Sequence, residues 1–181
     1  MIHTFGHANI IKYCNRPFAT AGEMDRHIIS EWNKIVTKDD VVYHMGDVAF
    51  TSPEWCRHII ENLNGYKILI LGNHDRAAEK MKERGFQEVH QSLKLTLSDG
   101  TEANLSHYPY KGSSAEDPHY RPKFETKSVI DDGKLLINGH VHTAWKTKPG
   151  KYKNWMINVG MDQWNFKPVS EDELIAFIKT L

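Results

Sequence analysis

An α/β fold with sheets layered against helices is predicted for this chain of 181 residues, and three observations predict it. Helical and strand-like segments alternate early, whereas strand signals dominate later. Apolar runs of strand length occur at Val41-Val42-Tyr43-His44, Tyr66-Lys67-Ile68-Leu69-Ile70-Leu71 and Leu135-Leu136-Ile137-Asn138. Each of these runs leads into a glycine and then into oxygen or imidazole donors: Gly46-Asp47, Gly72-Asn73-His74-Asp75 and Gly139-His140-Val141-His142. One glycine-aspartate pair would carry no information. Three strand ends of the same design point to a metal site at the carboxyl edge of a sheet.

The elements follow in chain order. Thr20 and Glu23 form a capping-box signature, and Met24, Ile28, Trp32 and Ile35-Val36 recur at helical spacing, which predicts an amphipathic helix over 21–36. Ser52-Pro53 opens a second helix, with proline suited to the first helical position. Its apolar face is Trp55, Cys56, Ile59, Ile60 and Leu63, and Asn64-Gly65 ends it. A third, more polar helix is expected from about Arg76 to Arg84, with Asp75 as its N-cap and Gly85 as its C-cap. Leu93, Leu95 and Leu97 then alternate with polar residues, and Asp99-Gly100 is a two-residue hairpin signal before the return strand to Leu105-Ser106-His107. Further strands fit 134–138 and 155–159. Ser170 and Glu173 cap a last helix bearing Leu174, Ile175, Phe177, Ile178 and Leu181. The stretch 108–128 has no periodicity and is rich in His, Tyr, Pro, Lys and Arg; a loop of that length is expected to be functional.

Composition narrows the function classes. The length suits one domain, 1–181, with a substantial core. Lys+Arg and Asp+Glu both number 23, so no net field draws the chain to polyanions or anionic membranes; nucleic acid is not favoured as a partner. No apolar run is long enough to cross a bilayer. Cys14 and Cys56 lie far apart and outside any CxxC pair, so reduced thiols in a cytoplasmic protein are expected. Eleven histidines exceed what a surface of this size needs, and several fall at strand ends.

Taken together, Gly46-Asp47, Gly72-Asn73-His74-Asp75, Ser106-His107 and Gly139-His140-Val141-His142 resemble, in order and spacing, motifs two to five of the calcineurin-like metallophosphoesterases. Phe5-Gly6-His7-Ala8-Asn9-Ile10-Ile11, Arg16-Pro17-Phe18 and Asn158-Val159-Gly160-Met161-Asp162 are similar to a small bacterial and phage branch of that superfamily. The resemblance implies a four-layer α/β/β/α sandwich and hydrolysis of a phosphomonoester or phosphodiester, a small nucleotide-like substrate being expected. It implies divalent transition metals, two in the family. It assigns Asp47, Asn73, His107 and His140 to one metal and His142, with a bridging Asp47, to the other. A bridging carboxylate is what two ions about 3.5–4 Å apart require, and the mixed oxygen and nitrogen set suits Mn, Fe, Zn or Ni better than Ca. His74 is implied as the catalytic acid, oriented by Asp75, while His7 and Asn9 are implied to line the substrate pocket.

One departure stands out. The family's first motif, Asp-x-His at the end of the first strand, is replaced here by Ile2-His3-Thr4. The first strand is therefore expected to be truncated, with unpaired backbone and an apolar gap beside it. His3 is offset by one residue and falls on the other strand face. A shortened reading frame, a one-metal variant and a catalytically impaired binding or scaffold protein all remain open. Outside the motifs, His44 is expected to serve packing. Arg16, Arg76, Lys111, Arg121 and Lys123 are weak candidates for phosphate contacts, and Trp32, Trp55, Trp155 and Trp164 read as core or core-edge aromatics.

Overall fold

A computed structural model describes residues 4–113 and 126–181. The predicted strand runs form β1 (Val41–His44), β2 (Tyr66–Ile70), β4 (Ser92–Thr96), β5 (Glu102–Ser106), β6 (Leu135–Asn138) and β8 (Trp155–Asn158). Two three-residue strands, β3 (Glu88–His90) and β7 (Thr147–Pro149), are too short to show periodicity in the sequence. The predicted helices are α2 (Ala21–Ile35), α3 (Pro53–Glu61), α4 (Ala78–Glu83) and α5 (Glu171–Ile178), and a six-residue helix absent from the sequence reading, α1 (Ala8–Tyr13), precedes them. The capping signals act as read. Thr20 and Ser52 accept from Glu23 and Trp55 backbone N–H groups, and Ser170 with Glu173 completes a reciprocal capping box.

The strands make two sheets, a parallel β1-β2-β3 and a mixed β4-β5-β6-β8-β7. Alternation along β1 and β2 sorts the small sheet's faces. Val42 and Leu69 point to a core shared with Ile10, Met24, Ile28, Trp32, Ile59, Ile60 and Met81 of the first four helices. Ile70, with Met45 just past β1, points the other way, onto Ala103, Leu105, Leu135, Ile137 and Ile157 of the larger sheet, and Leu174 and Ile175 of α5 join that inter-sheet core. Trp32 is fully buried with its indole N–H on the Asn64 carbonyl at 3.0 Å. Truncating a buried tryptophan of this kind costs about 3–5 kcal/mol.

The first four helices pack on one face of the small sheet, and its other face packs on the larger sheet. The outer face of the larger sheet carries Leu136 and Met156, and Tyr110, Val129 and Trp145 pack on it in place of a helix. Tyr110 lies at the start of the predicted 108–128 loop, of which residues 114–125 fall outside the described residues. Arg121 and Lys123 lie there too, as does His3 at the start of the chain.

Other local differences have local causes. The β4–β5 hairpin turns through residues 98–100, one more than the two-residue signal, because Leu97 and Thr101 pair through a 2.9 Å N–H···O bond. Trp55 is 50% exposed and stacks on His58 one turn along α3, leaving Cys56, Ile59 and Ile60 as the buried face. α4 begins after Ala77, which offers no side-chain cap.

β1 is an edge of the small sheet. Phe5 makes a single parallel bridge to Ala49, donating to Val48 O at 2.9 Å and accepting from Phe50 N–H at 2.8 Å. Beside β1 runs a cavity of about 520 Å3 lined by Val41, Tyr43, Met45, Leu105, Ile137 and Val159.

Candidate metal centre

The parallel strands β1, β2, β5, β6 and β8 end along one rim, and the chain leaves each end through a donor-bearing loop. Close packing of backbones at that rim explains the glycines. A Cβ on Gly46 (φ +88°) would meet Gly72 N at 2.5 Å, His107 Nδ1 at 2.6 Å and Ile70 O at 2.7 Å. One on Gly72 would collide with the Asp47 carboxylate. Only hydrogen at both positions lets three segments converge.

His107 stands at the centre. Its Nδ1 lies 2.6 Å from Met45 O, a contact that needs a proton on Nδ1. Its Nε2 faces His140 Nδ1 at 3.1 Å, Asn73 Oδ1 at 3.2 Å and Asp47 Oδ2 at 3.4 Å. Asp47, His107 and His140 each bring a ligand atom within 4.8 Å of the other two. Burial alone would raise the Asp47 carboxyl, but His107 and the His74 backbone N–H hold it well below the usual carboxylate range. Burial opposes charge on His107 as well, yet Asp47 beside it leaves the imidazole raised. His140, with burial and His107 both against its charge, is pushed down to about 3.

Backbone strain gathers at the same residues. Asp47, His140 and His142 all have positive φ, at +54°, +67° and +41°. Such conformations cost on the order of 1–3 kcal/mol each and persist where surrounding structure enforces them. For Asp47 the enforcing group is Asp75. Its carboxylate accepts the backbone N–H groups of Asp47 at 2.8 Å, Val48 at 2.9 Å and Gly72 at 2.8 Å. Asp75 thus ties the first donor loop to the second. The expected N-cap role falls away, because α4 starts at Ala78 with Ala77 in the cap position.

The strand-like alternation expected for His140 and His142 is broken as well. β6 stops at Asn138, and the positive φ values send the two imidazoles to different places. His140 joins His107. His142 joins Asp162 and Cys14, its Nδ1 3.4 Å from Asp162 Oδ2. Asn158 fixes that loop by donating to the His142 and Trp145 carbonyls at 2.8 and 2.9 Å.

The predicted substrate side is populated by rings. His74 is exposed and lies 4.6 Å from Phe50, whose other neighbour is His7 at 4.3 Å between ring centroids. His7 caps α1 by accepting from Ile10 N–H, and burial followed by the proximity of His142 and His74 lowers its pKa. Asn9 is exposed in the first turn of α1. Arg16, a weak phosphate candidate in the sequence, is instead fully buried and bound bidentately to Asp162 at 2.7 and 2.8 Å. Arg76 is exposed, and His44 is buried against Phe86, as a packing role requires. Sequence reasoning gave no role to Asp162, Asn158 or Phe50; the first two stand in one of the quoted segments, which was the available signal.

Comparisons with known proteins agree with this architecture. Residues 24–176 match the model of the calcineurin-like phosphoesterase superfamily domain. An uncharacterized protein of Methanocaldococcus jannaschii is 34% identical over 179 residues, covering 97% of this chain and 86% of that protein. The gene 66 protein of Mycobacterium phage L5 is 32% identical over 175 residues, covering 86% and 81%. The crystal structure of a protein of unknown function from Aquifex aeolicus superposes with a TM-score of 0.71 at 28% identity, covering 98% of this chain and 97% of that one. With most of its length inside the family model and a relative above 30% identity along nearly all of it, the chain belongs to the calcineurin-like phosphoesterase superfamily.

Proposed function

We propose that this chain is a metal-dependent phosphoesterase acting on a small, nucleotide-like phosphomonoester or phosphodiester, and that 1–181 works as one cytoplasmic domain. One observation carries the reading. With the Nδ1 proton of His107 directed at Met45 O, its Nε2 converges with three further ligand atoms, Asp47 Oδ2, Asn73 Oδ1 and His140 Nδ1, all at 3.1–3.4 Å. Lone pairs so arranged repel unless a proton or a cation stands among them. Thr4, at the place of the family's first-motif histidine, buries a hydroxyl that has no hydrogen-bond partner among the described residues. The residues present therefore fit a divalent ion, and the oxygen and nitrogen set suits Mn, Fe, Zn or Ni.

Asp47, Asn73, His107 and His140 would hold such an ion. When bound, divalent ions supply Lewis acidity and a water acidic enough to ionise near neutral pH. The chain's own residues do the rest. Asp47, kept ionised by His107, provides the permanent negative charge of the site. Asp75 fixes the two loops that carry Asp47 and Asn73, so the donors are aligned in advance. His74, exposed beside Phe50, would give a proton to the leaving oxygen. His7 and Asn9, with Phe50 between the His7 and His74 rings, border the substrate side. No helix among the described residues is long and apolar enough to cross a membrane.

A second reading, a catalytically impaired binding protein, is favoured by Ile2-His3-Thr4 in place of Asp-x-His. Purified protein assayed with chromogenic phosphomonoesters and phosphodiesters in Mn separates the two. Metal-dependent turnover that His74→Ala abolishes supports the enzyme. No turnover together with no bound metal by elemental analysis removes it.

A further inference from the structure

The resemblance gives His142 to a metal shared with Asp47, but the structure surrounds it with other donors. Cys14 Sγ, a ring nitrogen of His142 and a carboxylate oxygen of Asp162 lie within 4.8 Å of one another. The three come from separate segments: the C-cap of α1, the loop after β6, and the 3-10 turn Met161–Gln163 that follows β8. Each is fixed independently. Cys14 N–H donates to Ile10 O at 2.9 Å. The His142 carbonyl accepts from Asn158 at 2.8 Å and Gln163 at 2.9 Å. Asp162, with its side chain 2% exposed, is clamped by a guanidinium that is itself fully buried.

We propose that Cys14, His142 and Asp162 form a second cation site, separate from the Asp47 group, that takes zinc or cobalt(II). A sulfur, an imidazole nitrogen and a carboxylate oxygen make a donor set that suits a borderline-soft ion and not magnesium or calcium, which call for oxygen. Arg16 does not close the site. Each carboxylate oxygen has two acceptor positions, and Arg16 occupies one on each, leaving Asp162 Oδ2 a direction toward His142. The guanidinium then acts as the outer partner that fixes a ligand's orientation. Three protein donors leave a fourth position open. Loading exchanges one proton: the Cys14 S–H bond breaks, the sulfur's electron pair binds the ion, and the proton passes to solvent. The site does not depend on phosphoester hydrolysis, so the two proposals fail separately.

The test uses the full chain, stripped with chelator and titrated with cobalt(II). A thiolate-to-cobalt charge-transfer band is expected. It should vanish in Cys14→Ser, persist in Cys56→Ser, and persist in His107→Ala, which removes only the other group's ion. Zinc binding by equilibrium dialysis should weaken at least tenfold for the second equivalent in Cys14→Ser. A measurement on the unaltered chain guards against misfolded variants: zinc should protect Cys14, and not Cys56, from alkylation read by peptide mass spectrometry. A missing band, a band that survives Cys14→Ser or disappears in His107→Ala, or equal alkylation of both thiols with and without zinc overturns the site.

Discussion

The two donor groups share one rim but are built on different principles. The Asp47 group draws its side chains from residues within three positions of strand ends, and backbone hydrogen bonds to Asp75 lock the loops. The Cys14 group draws its side chains from a helix end, a loop and a 3-10 turn, and a buried ion pair between side chains holds them. In the first, geometry is enforced by main chain and glycine packing. In the second it depends on a charge, Arg16, whose removal strands another. That difference sets how each should break.

The largest effect is expected at the ion pair. Arg16→Met leaves the Asp162 carboxylate buried without its guanidinium, and removing one partner of a buried pair costs about 3–5 kcal/mol. Urea denaturation measures it; a loss under about 1 kcal/mol would show that the second group does not rest on this charge. Next is Asp47→Ala, which removes a proposed ligand. Turnover should fall by more than the roughly 10–100-fold typical of outer-partner losses, while the fold, read by circular dichroism, remains. Gly72→Ala comes third. The added methyl drives into the Asp47 carboxylate, and overpacking of this kind costs about 1–3 kcal/mol. It should lower stability and metal affinity together, which a change remote from the Asp47 group would not do.

The smallest expected effect is a pH slope in metal-free protein. His140 has a folded pKa of about 3, below the ordinary imidazole value of 6.5, so the unfolded chain binds the extra proton first. The contribution of His140 to stability is present above 6.5 and is lost as pH falls from 6.5 toward 3. His107, raised by Asp47, works in the opposite sense: its contribution is present below 6.5 and is lost as pH rises through the higher folded value. Denaturation midpoints in chelator should therefore slope on both sides of 6.5, and His140→Gln should flatten the acidic side. An unchanged acidic slope in that variant would contradict the burial of a neutral imidazole.

Legibility followed the same division. Asp47, Asn73 and His140 could be picked out from sequence because strand, glycine and donor sit next to one another and that local order repeats three times, whereas His107, with serine before it, is promoted only by its place in the family's motif order. The major strands and the capped helices were legible for the same reason, each signal lying within a few residues. What could not be read depends on distance in sequence. Arg16 reaching Asp162 across 146 positions has no local mark, and an isolated arginine reads as a solvated charge. The hold of Asp75 on the Asp47 and Val48 amides has no local mark either, since it spans 28 and 27 positions. The parting of His142 from His140 could not be read because it rests on positive φ values, which no periodicity encodes. The covering of the larger sheet's outer face by Tyr110, Val129 and Trp145 arises from loop packing, which the same periodicity arguments do not reach.

The Asp75 clamp has a consequence for how ion and polypeptide share their energetics. Because one carboxylate gathers three amide protons from two loops, the loops that carry Asp47 and Asn73 are tied together by hydrogen bonds made entirely within the chain. Little ordering entropy remains to be lost on loading. In domains that fold only around their metal, removing the ion unravels the chain; here the amides of Asp47, Val48 and Gly72 should resist hydrogen exchange almost equally with or without it.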